Sequence, residues 1–159
     1  MTKRILATMA FVLGASSAAM AQTANQTVTF QVDAINQIAL SGSPSLVINT
    51  ATAGSNPTSA TANATWAVTT NQSGAKITAS IASNMPSGLT LQATLGVGAT
   101  GAASAGAKTL STVAQDVVTG LTKVNATGLT LGYTLDATAA AGVVTSSSRV
   151  VTFTITGGT

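Results

Sequence analysis

Apolar residues recur at every second position over several separate stretches of this chain. Between Thr27 and Asp33, for example, Val28, Phe30 and Val32 occupy one phase and polar residues occupy the other. Successive side chains of a β-strand point to opposite faces of a sheet, so this spacing predicts strands with one buried and one wet face. No amphipathic helix of useful length is found beside them, which argues against a parallel α/β fold.

The alternation predicts an all-β domain. The first strand continues to Leu40, either as one long strand or as two strands separated by a bulge near residues 34–36. Further strands are expected at 46–48, 64–70, 77–81, 89–97, 129–136 and 151–156, and less regularly within 110–121. Asn71–Gly74 is expected to form a hairpin turn, and residues 96–107 a surface loop. About eight or nine strands separated by turns are typical of an antiparallel immunoglobulin-like β-sandwich.

The N-terminus has the three parts of a secretory signal peptide. Lys3 and Arg4 are basic, an apolar run follows, and Ala19-Met-Ala21 is a cleavage signal. We therefore expect residues 1–21 to be removed and residues 22–159 to form a single domain outside the cytoplasm, at the cell surface, released or in a periplasm. The mature chain is expected to have no membrane span, because no second apolar stretch approaches about 20 residues.

The mature chain carries few charges. Its four cations are Lys76, Lys108, Lys123 and Arg149, and its three acids are Asp33, Asp116 and Asp136. Four scattered cations form no electrostatic footprint for nucleic acid and no polybasic patch for a membrane. Neither partner is expected.

The composition argues against an enzyme. The chain has no His, Cys or Glu, which removes most general bases, thiol nucleophiles and transition-metal ligands, so we expect no catalytic, cofactor or metal residues. Gly96–Gly101 matches G-x-G-x-x-G, but no helix or suitably spaced acid follows it. Ser73–Lys76 matches S-x-x-K without the partner motifs of penicillin-recognising enzymes.

Four aromatic residues of the mature chain fall on the phase expected to be buried. They are Phe30, Trp66, Tyr133 and Phe153. Each can bury on the order of 150–250 Å², so we expect them to anchor the core, with Trp66 between the two sheets.

The two ends of the mature chain are alternating segments, and terminal strands are free to pair with a neighbouring molecule. The candidate assembly strand comprises Val28, Phe30, Val32, Ile35, Ile38 and Leu40. In general design the arrangement resembles bacterial pilus and fibre subunits of immunoglobulin-like fold, although the cysteine pair common in chaperone–usher subunits is absent. The resemblance implies a non-enzymatic surface protein that assembles with itself by strand addition. The alternative is a monomeric binding or adhesion module for a glycan or a protein.

Overall fold

A computed structural model of the chain describes residues 20–159. Nearly all of the expected signal peptide lies outside the described residues. The described strands are β1 (Asn36–Ser41), β2 (Ala60–Ile81), β3 (Leu89–Leu95), β4 (Ala103–Ser104), β5 (Lys108–Thr109), β6 (Gln115–Ala137) and β7 (Val151–Thr156). One 3-10 turn, Ala139–Ala141, follows β6. No helix among residues 20–159 has the length and apolar character needed to cross a membrane.

All seven strands belong to one antiparallel sheet. Its order is β1-β2-β6-β3-β5, with β7 paired to β2 and β4 paired to β6. The expected all-β, antiparallel character is therefore confirmed, with seven strands among the described residues. The centre of the sheet is formed by β2 and β6, which are 22 and 23 residues long and pair with each other along most of their length.

Both long strands contain a bend where the sequence suggested a break. Asn71–Gly74 is not a hairpin turn, because β2 runs through it and continues to pair with β6. The register shifts between Thr70 and Ala75 instead, with Gly74 at φ 78°, which is the left-handed conformation that glycine adopts without strain. Turn-forming residues thus produce bulges that bend a continuous strand.

The bend in β6 lies opposite the bend in β2. Gly120 has φ 77° and Lys123 has φ 44°, the latter being the one positive φ outside glycine in the described chain. On either side of the bend, β2 has a different neighbour on its outer edge. Residues 65–70 pair with β1, and residues 76–81 pair with β7.

One hydrophobic core collects side chains from both halves of the long strands. Its largest fully buried members are Trp66, Ile77, Leu95, Val117, Val118, Leu121 and Leu131. The buried phase of β2 changes from even to odd positions across the bulge, which keeps the apolar side chains on the same face. Strands β2, β3, β6 and β7 supply all of the buried hydrophobic residues of this core except Leu110, so one sheet provides nearly the whole core.

Three of the four aromatic residues belong to this core. Trp66, Tyr133 and Phe153 are buried, and the Trp66 indole donates a hydrogen bond of 3.1 Å to the carbonyl oxygen of Gly96. Phe30 is 90% exposed, so the expectation that it anchors the core is wrong. The alternation around Phe30 predicted that its side chain lies on the buried face of a strand. Residues 20–35 belong to no strand, so no such face is formed there.

Other local expectations are also corrected. The first strand begins at Asn36, so the predicted strand from Thr27 is wrong for its first part. Residues 46–48 alternate as predicted but have no strand partner. The loop at 96–107 contains the two-residue strand β4, and residues 110–114 precede β6 rather than extending it. Asp33–Thr159 forms one compact unit, and the described residues 20–32 lie outside it.

Candidate functional site

The N-terminal segment, residues 22–32, presents apolar side chains to solvent. Val28, Phe30 and Val32 are 74%, 90% and 78% exposed. The segment contains no charged residue, the first being Asp33. Burial of aromatic and β-branched side chains stabilises both folded chains and complexes. Because all three side chains are exposed, they contribute little of this stabilisation to the fold. They are spaced as one face of a strand.

Asn71, at the bulge of β2, holds the chain where it enters β1. Its side-chain oxygen accepts a hydrogen bond from the Ile35 amide at 2.8 Å, and its side-chain nitrogen donates to the Asp33 carbonyl at 2.7 Å. The Asn71 amide also donates to the Ile35 carbonyl at 3.2 Å. Beside it, the hydroxyl of the buried Thr70 donates to the Asn36 side chain at 2.6 Å. The position of β1 is therefore fixed from Asp33 onward.

An open groove of about 670 Å³ lies beside the start of β3 and the end of β6. Its lining includes the large apolar residues Leu46, Ile48, Met85, Leu89, Leu135 and Val144. Two stretches outside any strand, 46–49 and 143–147, contribute to the lining. No Lys, Arg, Asp or Glu is among the lining residues, so the groove is neutral.

The backbone along these two stretches lacks partners within the described chain. Residues 46–49 and 143–147 make no hydrogen bond to another described residue, whereas the Thr50 carbonyl accepts one from the Thr58 amide at 2.8 Å. Leu46 and Ile48 are half-buried while Val47 is 68% exposed, which is the burial pattern of a strand. The 46–49 stretch thus has strand-like alternation but no hydrogen-bonded strand beside it among residues 20–159.

The remaining residues of the candidate assembly strand lie in or beside β1. Ile38 pairs with Val68 and Leu40 with Trp66, so one edge of β1 is occupied by β2. Ile35 and Leu40 are 40% and 48% exposed. The structure therefore separates the predicted strand into two parts, an exposed segment before Asp33 and a paired strand after it.

The acidic residues do not form a reactive cluster. Asp116 and Asp136 lie at opposite ends of β6 and have separate partners. Asp116 pairs with Lys76 at 3.0 Å on the exposed surface, and Asp136 accepts a hydrogen bond from the Ser59 hydroxyl. Among residues 20–159 no three His, Cys, Asp or Glu side chains lie close enough to hold a metal ion.

Tyr133 has a shifted pKa for a structural reason. Burial in the core raises the pKa of its phenol above the usual 10, because the charged phenolate is poorly solvated there. The buried position of Tyr133 therefore favours the protonated phenol.

Two features of this surface were missed by reasoning from the sequence. The role of Asn71 was hidden because its residue type and neighbours resemble a hairpin turn. The groove was hidden because its lining comes from four separated parts of the chain, although the alternation at Leu46 and Ile48 was visible.

Comparisons of the chain with protein-family models, with curated proteins and with solved structures gave no match.

Proposed function

We propose that this chain is an exported, non-enzymatic structural protein of the cell surface that assembles with itself into fibres or a coat by β-strand addition. The observation that carries the proposal is the exposure of Val28, Phe30 and Val32 in a segment that belongs to no strand. A strand added to another molecule gains main-chain hydrogen bonds and places alternate side chains in pockets. The N-terminal segment has the alternation that this mode of binding requires.

The absence of charge supports the same role. Proteins protect free strands from pairing by placing charged residues, especially Lys, along them. Residues 22–32 contain no such protection, although three apolar side chains alternate with Thr and Gln. A segment that is both apolar on one phase and unprotected is suited to pairing with another chain.

Export is part of the proposal. Residues 1–21 act as the signal peptide, and the mature protein begins at Gln22, only a few residues before the exposed apolar side chains. The proposal includes an immunoglobulin-like sandwich as the architecture that the bent sheet forms. This is the architecture of the pilus and fibre subunits that the sequence pattern resembles. The protein then works outside the cytoplasm, at the cell surface or in transit through a periplasm.

A deletion of residues 22–32 from the exported protein tests this function. The deletion stops before Asp33, whose carbonyl binds Asn71, and therefore leaves β1 intact. Mass spectrometry of the purified protein first establishes whether its N-terminus is Gln22. Light scattering and negative-stain electron microscopy then compare the two proteins, and we expect filaments or large assemblies only when residues 22–32 are present.

A matched pair of variants separates the apolar phase from the segment as a whole. Val28→Asn with Phe30→Asn removes two exposed apolar side chains, whereas Thr27→Asn with Thr29→Asn changes the opposite phase. We expect assembly to be lost in the first variant and retained in the second. A monomeric full-length protein under all conditions tested would refute assembly and favour a monomeric module that binds a glycan or a protein.

The groove of about 670 Å³ is the observation that favours this alternative, since small-molecule sites commonly have volumes of about 300–1,000 Å³. Its lining contains neither an aromatic ring, which glycan sites use for stacking on sugars, nor a charged side chain. Self-assembly accounts for the exposed apolar side chains of residues 22–32, whereas a monomeric module accounts only for the groove.

A further inference from the structure

We propose that the groove beside the start of β3 and the end of β6 binds a small uncharged molecule, largely aliphatic and carrying a hydrogen-bonding polar end, such as a monoacylglycerol. The inference goes beyond the proposed self-assembly and does not depend on it, because no residue of the 22–32 segment lines the groove.

The walls of the groove are tied together by hydrogen bonds between separate loops. The Ala139 amide donates to the side-chain oxygen of Asn56 at 3.2 Å, and the Thr138 amide donates to the Gly88 carbonyl at 2.9 Å. These bonds join the turn after β6 to two other parts of the chain, one before β2 and one before β3. Ligand sites are usually largely pre-formed, and these bonds frame the groove from within the chain.

A close approach of two backbones also fixes the turn after β6. Gly88 has φ 80°, and a Cβ atom at this position would lie 2.8 Å from the backbone nitrogen of Ala141. Only glycine therefore lets the turn Ala139–Ala141 pack this closely. Elsewhere in the lining, Ala51 and Pro57 pair in an isolated antiparallel bridge. The shape of the groove is thus set by contacts within the chain.

The lining favours an uncharged, aliphatic ligand. A charged group placed in the groove would lose water without gaining an ionic partner, because no charged residue lines it. No aromatic ring is present there to stack on a planar ligand or a sugar. The large apolar lining residues are aliphatic or thioether side chains, and each retains some exposed surface that a ligand can cover: Leu46, Ile48, Met85, Leu89, Leu135 and Val144.

The same lining offers uncharged hydrogen-bonding groups. Residues 46–49 and 143–147 have backbone amides and carbonyls without a partner in the described chain. Thr145, Ser146 and Ser147 add hydroxyl groups. Ligand pockets commonly use a few backbone and hydroxyl groups of this kind to orient an otherwise apolar ligand. An ester with free hydroxyls both accepts and donates, so it matches these groups better than a pure hydrocarbon does.

Calorimetric titration of the exported full-length protein tests the ligand class. The probes are monodecanoylglycerol, decanoate and decylammonium, which have similar aliphatic chains and differ in the charge of the polar end. Each is used below the concentration at which it self-associates. We expect monodecanoylglycerol to bind as one molecule per chain with a negative heat-capacity change, the sign of apolar burial. Both charged probes should bind at least tenfold more weakly.

A matched pair of variants tests the location. Ile48→Asn with Val144→Asn changes two apolar lining residues that lie outside the strands. Val113→Asn with Val150→Asn changes two valines that are 70% and 67% exposed and do not line the groove. We expect at least a tenfold loss of affinity for monodecanoylglycerol in the first variant and native affinity in the second. Circular dichroism verifies that both retain their strands.

Three results would overturn the inference. Equal affinity for all three probes would show that the groove does not select an uncharged ligand. Equal affinity of the two variants, with unchanged secondary structure, would place the binding elsewhere. Failure of monodecanoylglycerol to bind, with binding of the uncharged peptide Val-Thr-Val-Thr-Val or of no probe, would refute the ligand class. Light scattering on the same samples records assembly separately, so failure of this inference is distinguishable from failure of the proposed function.

Discussion

Replacing Phe30 by alanine should leave the folded monomer unchanged and weaken assembly. The side chain is 90% exposed, so only about a tenth of the 1.5–3 kcal/mol that full burial of a phenylalanine contributes is available to folding. We therefore expect the free energy of unfolding to change by no more than about 0.3 kcal/mol. In the proposed assembly the ring becomes buried, so its loss should weaken association by roughly 10- to 150-fold.

Phe153→Ala is the matched control, because it removes the same side chain from the opposite environment. Phe153 is 9% exposed and belongs to the core, so its truncation should lower the free energy of unfolding by about 3–5 kcal/mol. Urea denaturation of dilute monomer measures both effects on stability. Light scattering across a concentration series measures the effect of Phe30→Ala on assembly.

Two results would contradict this reasoning. If Phe30→Ala lowered the stability of dilute monomer by more than about 1 kcal/mol, the ring would be buried within its own chain. If stability and the concentration for assembly were both unchanged, Phe30 would take no part in association. The first outcome would remove the observation on which the proposed function rests, and the second would show that this exposed side chain does not serve assembly.

Three further predictions concern the bend and the core. Asn71→Ala should lower the free energy of unfolding by about 1–2 kcal/mol in urea denaturation, because the side chain loses its hydrogen bonds to Asp33 and Ile35. Asn71→Asp should not restore this stability, because it keeps the acceptor for the Ile35 amide but places a second oxygen against the Asp33 carbonyl oxygen. By the same assay, Gly74→Ala should lower the free energy of unfolding by about 1 kcal/mol, because the φ of Gly74 is positive, although no atom crowds the site. Lys123→Gly should leave the free energy of unfolding unchanged or raise it slightly, because Lys123 also has a positive φ and glycine adopts it without strain. A clear loss of stability in Lys123→Gly would contradict the argument that Lys123 is strained. Burial raises the pKa of Tyr133, so the native state keeps a proton that the unfolded chain releases near pH 10. The contribution of this group to the free energy of unfolding should be complete below about pH 10 and should decrease above it. A Tyr133→Phe variant whose stability decreased equally at alkaline pH would refute this.

The regular alternation of apolar residues was sufficient to predict an antiparallel all-β fold. The segments around Trp66, Leu91, Leu131 and Phe153 all lie in strands, because each stretch buries one phase and exposes the other. Alternation reports which side chains share a face, and this property is local to a few residues. It is therefore visible without knowledge of any partner strand.

Only the tertiary structure decided how those strands connect. Asn71–Gly74 has the composition of a hairpin turn, yet β2 continues through it because β6 pairs with both sides of the bulge. The exposure of Phe30 was equally hidden, since its alternation is the same as that of a buried strand. Whether an alternating segment is a strand depends on a backbone partner supplied by distant residues, and periodicity carries no information about that partner. The sequence thus determined which segments can form strands, and the long-range hydrogen bonds determined which of them do so.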